Sequence, residues 1–364
     1  MTQQISAPRV GGRRALARNV CLGLGLAGLG FGALAAEGAT RREWVAHSTD
    51  SGNWSEPGNW KPAGVPQNGD DLIFEPTEEL PSPLQNMVND LVDLHVGKIE
   101  FCTHGWMLAG NELTLLDRVG RVRTGTNVCG AASSFRFDCD LKLGNSAVID
   151  MYYGTVLLRG NIDLNGQDLR LITADTIIVS GSITGIGNVF AVIDSFTSGS
   201  IRFEGSAGNT FDGMLIVSKS ATVPGEVVLD KQSGAVVNGS LLIRNGAVCK
   251  LARPHQINDS AGVCVAGGGQ FLLEGHTETI GSLYLTNSIG DVAPSLVDTG
   301  DATLSVQGDI AAVNDAPGVI PTIRGMLGFP GAAAAPSGAQ KATSASSRWV
   351  KGNSSPRKPA SLIK

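Results

Sequence analysis

The sequence predicts an all-β protein, a single-stranded right-handed parallel β-helix (β-solenoid), and three observations carry the solenoid reading. From about residue 70 to 310, short runs of alternating apolar residues are closed repeatedly by Gly, Asn or Asp. No stretch between them has the apolar period of an amphipathic helix, so crossover helices and an α/β sheet are not expected. Three runs share one frame: Gly154-Thr-Val-Leu-Leu-Arg-Gly160, Gly199-Ser-Ile-Arg-Phe-Glu-Gly205 and Gly269-Gln-Phe-Leu-Leu-Glu-Gly275.

In each frame the residues two and four places after the first glycine are apolar: Val156 and Leu158, Ile201 and Phe203, Phe271 and Leu273. Side chains two apart share one face of a strand. The closing glycines let the backbone turn where a Cβ would clash. Further strands are expected at Asp71–Phe74, Lys98–Phe101, Leu113–Leu116, Phe135–Leu143, Thr176–Ser180 and Leu215–Ser218, and on to Ala302–Val306. Only 5% of the residues are aromatic, so the interior must be Val, Ile and Leu, which suit a pleated surface. Repetition of one phrase favours a solenoid, in which each turn stacks on the one before and inward residues form columns. At roughly 25 residues per turn the body would make about a dozen turns. A β-sandwich is the alternative.

Four parts are expected: a signal peptide over 1–35, a linker and tryptophan-rich N-terminal cap over 36–75, the solenoid over 76–330, and a disordered basic tail over 331–364. Arg9, Arg13, Arg14 and Arg18 precede an apolar run, Val20 to Ala36, that ends in the small-x-small pattern of a cleavage site. Arg13-Arg14 also suits twin-arginine export. The run is short and glycine-rich, so no membrane span is expected once the signal is removed. The tail lacks any strand pattern and is rich in Ala, Ser, Pro and Lys.

The whole chain has 28 basic and 33 acidic residues. The expected signal and tail hold ten of the basic ones and no acidic one, leaving a strongly acidic body. That balance excludes nucleic acid as a partner, which needs a basic footprint. The five cysteines after the signal are odd in number and show no C-x-x-C spacing, so buried free thiols are expected.

Two passages resemble a known family. One is Trp44…Gly52-Asn53-Trp54-Ser55-Glu56-Pro57-Gly58-Asn59-Trp60, continuing to Asp70-Asp71-Leu72-Ile73-Phe74. The other is His255-Gln256-Ile257-Asn258-Asp259-Ser260, followed by Thr277-Glu278-Thr279-Ile280-Gly281-Ser282-Leu283. Both resemble bacterial autotransporter-associated β-strand repeat proteins, as does the turn Asn209-Thr210-Phe211-Asp212-Gly213. The resemblance implies a right-handed parallel β-helix that is secreted or displayed at the cell surface, with no catalytic residues. The long alternating strands of a translocator barrel, which such proteins carry at the C-terminus, are not found after Gly331.

The search for chemistry gives few candidates. Arg136, Asp138, Asp140 and Lys142 alternate with apolar residues and are expected on the outer face of one strand as salt bridges. Asp70-Asp71 and Glu78-Glu79 are adjacent pairs that a strand would point to opposite faces. His47, His95, His104, His255 and His276 are scattered, and no metal, cofactor or nucleophile motif accompanies them. Trp44, Trp54 and Trp60 are candidates either for an N-terminal cap or for a carbohydrate-stacking platform. The expected function is therefore an exported surface or secreted scaffold, adhesive and non-catalytic, with no cofactor. A polysaccharide-binding or polysaccharide-degrading β-helix is the alternative. The expected partners are extracellular polysaccharide or cell-surface components.

Overall fold

The computed structural model describes residues 39–47, 50–75, 84–102, 105–121, 134–152, 154–194, 198–220 and 224–329. The expected signal and tail, Glu78-Glu79 and His104 lie outside these residues. The described chain is a β-solenoid of about 10 turns. Its only helical element is a single 3-10 turn at Pro57–Asn59.

Two parallel sheets form the main walls. The long sheet has 16 strands. It runs from Arg41–Trp44 through Ala147–Met151, Leu169–Thr173, Val189–Ile193, Met214–Lys219, Ser240–Ile243, Gly262–Ala266 and Ser282–Asn287 to Ile310–Asn314. The second sheet has 12 strands and begins at Asn86–Asn89. Partners in neighbouring turns lie between 19 residues apart, as in His95–Thr114, and 30 apart, as in Arg118–Val148. Parallel pairing at this separation excludes the β-sandwich, whose sheets are antiparallel.

The three glycine-flanked frames stack in register. Val156 pairs with Ile177, then Ile201, Val227, Cys249 and Phe271 in successive turns of the second sheet. All six side chains point inward and are buried. The long sheet supplies the facing column Ile149, Leu171, Ala191, Val217, Ile243 and Val265. These columns merge into one continuous core.

A third, short side connects the two walls. Leu141–Leu143, Ile162–Asp163 and Ile183–Thr184 pair there. This side corrects the expected Phe135–Leu143 strand, which is two strands, Ser134–Phe137 and Leu141–Leu143. The chain turns a corner between them with Cys139 buried. Alternation of polar and apolar residues continues through the corner, so periodicity alone hides the bend.

At some corners the turns approach too closely for a side chain. A Cβ on Gly213 would lie 2.0 Å from the carbonyl oxygen of Gly187, and one on Gly239 would lie 2.0 Å from that of Gly213. Gly213→Ala should therefore lower stability by about 1–3 kcal/mol through overpacking. Urea denaturation measures this, and an unchanged midpoint would show that the corner can spread.

Candidate functional site

The three tryptophans come together at the N-terminal end. Trp44 closes the strand Arg41–Trp44, and Trp60 opens Trp60–Lys61. The two pair directly across an antiparallel contact at the edge of the long sheet. Ring centroids lie 5.0 Å apart for Trp44 and Trp60, and 5.5 Å apart for Trp54 and Trp60, both edge-on. Phe74 sits against all three. The Trp60 Nε1–H donates to the Trp54 carbonyl at 3.0 Å, and that of Trp44 donates to Leu84 at 3.0 Å. Exposure is 1% for Trp44, 0% for Trp54 and 2% for Trp60, so no ring face is open for a sugar to stack on. Arg41–Trp44 and Asp71–Phe74 also pair in parallel, which joins this segment to the same ladder as the rest. Trp60→Ala should cost about 3–5 kcal/mol, the loss typical of a buried tryptophan. Denaturation monitored by circular dichroism reads it, and a loss below about 1 kcal/mol would mean that the cluster does not hold the end together.

The polar set on the second sheet does not form a site. Arg136 and Asp138 make a two-pronged ion pair. Asp140 lies past the corner and accepts from the Asn161 backbone N–H at 2.7 Å. The adjacent Asp70 and Asp71 separate as expected. Asp70 is buried and accepts from Arg42 and from the Thr40 and Gln67 N–H groups. Asp71 faces Lys98 at 3.8 Å. His47, His95 and His255 are exposed and scattered. Among the described residues no group of three or more His, Cys, Asp or Glu is placed to hold a metal. Cys139 and Cys249 are buried free thiols, and burial pushes Cys139 up to about 12. Cys102 and Cys264 differ from expectation in being disulfide-bonded.

The most unusual chemistry lies inside the short side, where strand pairing gives way to side chains. Lys231 is 1% exposed, and its ammonium donates to the carbonyls of Gly181 at 2.7 Å and Ser180 at 3.2 Å. Its backbone N–H donates to Gln256 Oε1 at 2.7 Å, and Gln256 Nε2 donates back to the Lys231 carbonyl at 3.0 Å. The Gln256 N–H donates to Glu278 Oε2 at 2.7 Å, and the Thr279 N–H donates to Oε1 at 3.0 Å. Asn209 does similar work, accepting from the Ile183 N–H and donating to the Val236 carbonyl, each at 3.0 Å. Buried backbone groups need partners, and here side chains replace the missing ladder. Sequence reasoning did not single these residues out as braces, although Asn209, Gln256 and Glu278 all stand in the motifs that carry the family resemblance.

Burial sets the titration of this corner. It pushes Lys231 down to about 8, with the Glu204 charge opposing. It pushes Glu278 up to about 7, against the three backbone N–H groups of Gln256, Thr279 and Ile257 and with the help of Asp259. A carboxyl with a raised pKa binds more protons folded than unfolded. Its contribution is therefore fully present below the ordinary value near 4.5 and is lost as pH rises through 7. The loss is on the order of 3 kcal/mol over that window. Denaturant midpoints measured from pH 4.5 to 8 should show this slope, and Glu278→Gln should flatten it. An equal slope in the variant would place the effect elsewhere.

Outside the corner several charged groups pair across the outer faces of the sheets. Asp230 joins Arg202 and Arg253 across neighbouring turns. Lys250 contacts Glu226 at 2.8 Å and Glu274 at 3.9 Å, beside a shallow groove of about 450 Å³ that Lys219 and Gln270 also line.

No family model matches the chain, nor does any curated protein or solved structure.

Proposed function

We propose that this chain is an exported, non-catalytic scaffold of the kind its motifs resemble, the autotransporter-associated β-strand repeat proteins. It would be displayed at or beyond the cell surface, with residues 1–35 as its leader. The observation that carries the reading is the use of the buried polar groups. Lys231, Gln256, Glu278 and Asn209 are engaged in bracing one turn against another, and their hydrogen bonds go to backbone. Catalytic acids and bases need reach to a substrate, and these have been used to hold the rod together. The product of such a chain is shape and surface.

Polysaccharide binding is the second reading. It is favoured by the groove that Lys219, Glu226, Lys250 and Gln270 line. Lys250 there is already compensated by two glutamates, which weakens its attraction for an acidic sugar.

Two measurements separate these readings. The purified full-length chain incubated with acidic and neutral polysaccharides should release neither unsaturated nor reducing ends. Sustained release abolished by a single carboxylate substitution would overturn the scaffold reading. Glycan-array binding that Lys219→Glu removes would favour the second reading. Expression in a Gram-negative host should yield a product shortened by the leader and protected from cytoplasmic labelling. A full-length cytoplasmic product would count against export.

A further inference from the structure

Cys102 and Cys264 each carry a disulfide, and the ladder restricts where the other ends can be. Cys102 follows the strand His95–Phe101, and Cys264 lies in Gly262–Ala266 of the same long sheet. Seven ladder steps separate those strands, about 34 Å at roughly 4.8 Å per step. The Cα atoms of a disulfide lie within about 7 Å of each other, so these two cysteines are not each other's partners. Cys139 and Cys249 are free thiols. Of the chain's six cysteines that leaves Cys21 and Cys129.

Reach separates the two. Cys129 stands eight residues after Arg121 and five before Ser134. Arg121 pairs with Phe101, the neighbour of Cys102. Five residues carry Cys129 at most about 18 Å from Ser134. Cys264 lies beyond the five ladder steps from Ser134–Phe137 to Val248–Leu251, more than about 24 Å along the axis. Only a fully straightened chain would bring Cys129 there. Cys21 precedes Arg41 by 20 residues, which extend to roughly 70 Å. Nine ladder steps from Arg41–Trp44 to Gly262–Ala266 cover only about 43 Å.

Burial points the same way. Cys264 forms an outward cluster with Ile216 and Leu242, apart from the core, and all three are 1–3% exposed. The apolar residues packed against that cluster, Phe190, Met214, Ala266 and Tyr284, belong to the same sheet. A sheet does not shield its own outer face, so the shield comes from elsewhere in the chain. The segment Gly331–Lys364 has no cysteine, whereas Val20–Ala36 holds Cys21, is apolar and has no acidic residue. Arg170 and Arg244 each keep a buried Nε that finds no acceptor among the described residues, as an acid-free cover would leave them.

We propose that the disulfides are Cys102–Cys129 and Cys21–Cys264, and that the second ties the apolar segment Val20–Ala36 over the outer face of the long sheet as a covalently held cover. Each bond forms from two thiols, which give two protons and two electrons to an oxidised disulfide such as oxidised glutathione. The pairing belongs to the uncut chain and does not rest on the scaffold reading. Cutting after Ala35 would leave residues 1–35 attached through sulfur.

The full-length chain, refolded in a glutathione redox buffer, tests it without export or leader removal taking part, so either reading can fail alone. Digestion without reduction, followed by mass spectrometry, should give peptides joining Cys21 to Cys264 and Cys102 to Cys129. In Cys264→Ser, Cys21 should become a thiol that iodoacetamide reaches in the folded protein, while Cys102–Cys129 persists. Leu24→Asp combined with Leu26→Asp should raise the fluorescence of a dye that binds exposed apolar surface at least about two-fold, with the circular dichroism spectrum unchanged. A map that joins Cys129 to Cys264, or that finds Cys264 as a free thiol, would overturn the pairing. So would a Cys21 that stays disulfide-bonded in C264S. Dye fluorescence equal to the parent's in the double variant would overturn the cover.

Discussion

Everything in this molecule depends on hydrogen bonds between one turn of the chain and the next. A parallel strand buried on one face cannot satisfy its own N–H and C=O groups, and here the partners lie 19 to 30 residues away. That separation sets the rest. It fixes which aliphatic side chain lies on which, so Val156, Ile201 and Phe271 occupy one column despite being far apart in the chain. It also brings corners so close that only glycine fits at Gly213 and Gly239.

Where the ladder weakens, polar side chains take over its role. On the short side regular pairing lapses between Ile183–Thr184 and Glu278–Ile280, where it is reduced to isolated contacts such as Val237–Ile257. Asn209, Gln256 and Glu278 fill the gaps by acting as extra rungs. Their burial is tolerable because each polar atom has a backbone partner, and an unsatisfied one would cost about 1–3 kcal/mol. The same logic explains the tryptophan end. A short antiparallel pairing, Trp44 with Trp60 and Glu43 with Lys61, terminates the long sheet, and indole rings fill the space that a further turn of aliphatic residues would occupy.

The solenoid was legible in the sequence because glycine-flanked strands repeat with inward residues at the same two offsets. Strand positions such as Asp71–Phe74 and the frame around Val156 follow directly from that alternation. The corner at Cys139 was not legible. Alternation survives a turn of the chain when the corner residue is itself buried, so period-two patterning reads two strands as one. The braces were half legible. Motif resemblance marked Gln256 and Glu278, but nothing in a local pattern says that a glutamine or glutamate points inward. Lys231 carries no signal of its own, since its partners at Ser180 and Gly181 are 51 and 50 residues distant. The apolar cluster of Ile216, Leu242 and Cys264, which lies apart from the core, was hidden for a related reason. In strands such as Met214–Lys219 nearly every residue is buried, and such a run reads as a strand buried on both faces without saying by what.

The reach of Lys231 has a consequence for how such a chain can change in length. Repeat proteins grow and shrink by gaining or losing whole units, and a ladder of equivalent turns accepts this because each contacts only its neighbours. Lys231 breaks that independence, because its ammonium grips a carbonyl 50 residues back, past an intervening turn. Deleting or duplicating the turn between them would leave the grip too long or too short and strand a cation in the interior. The stretch from Ser180 to Lys231 is therefore locked in unit number, a constraint that contacts between adjacent turns alone do not impose.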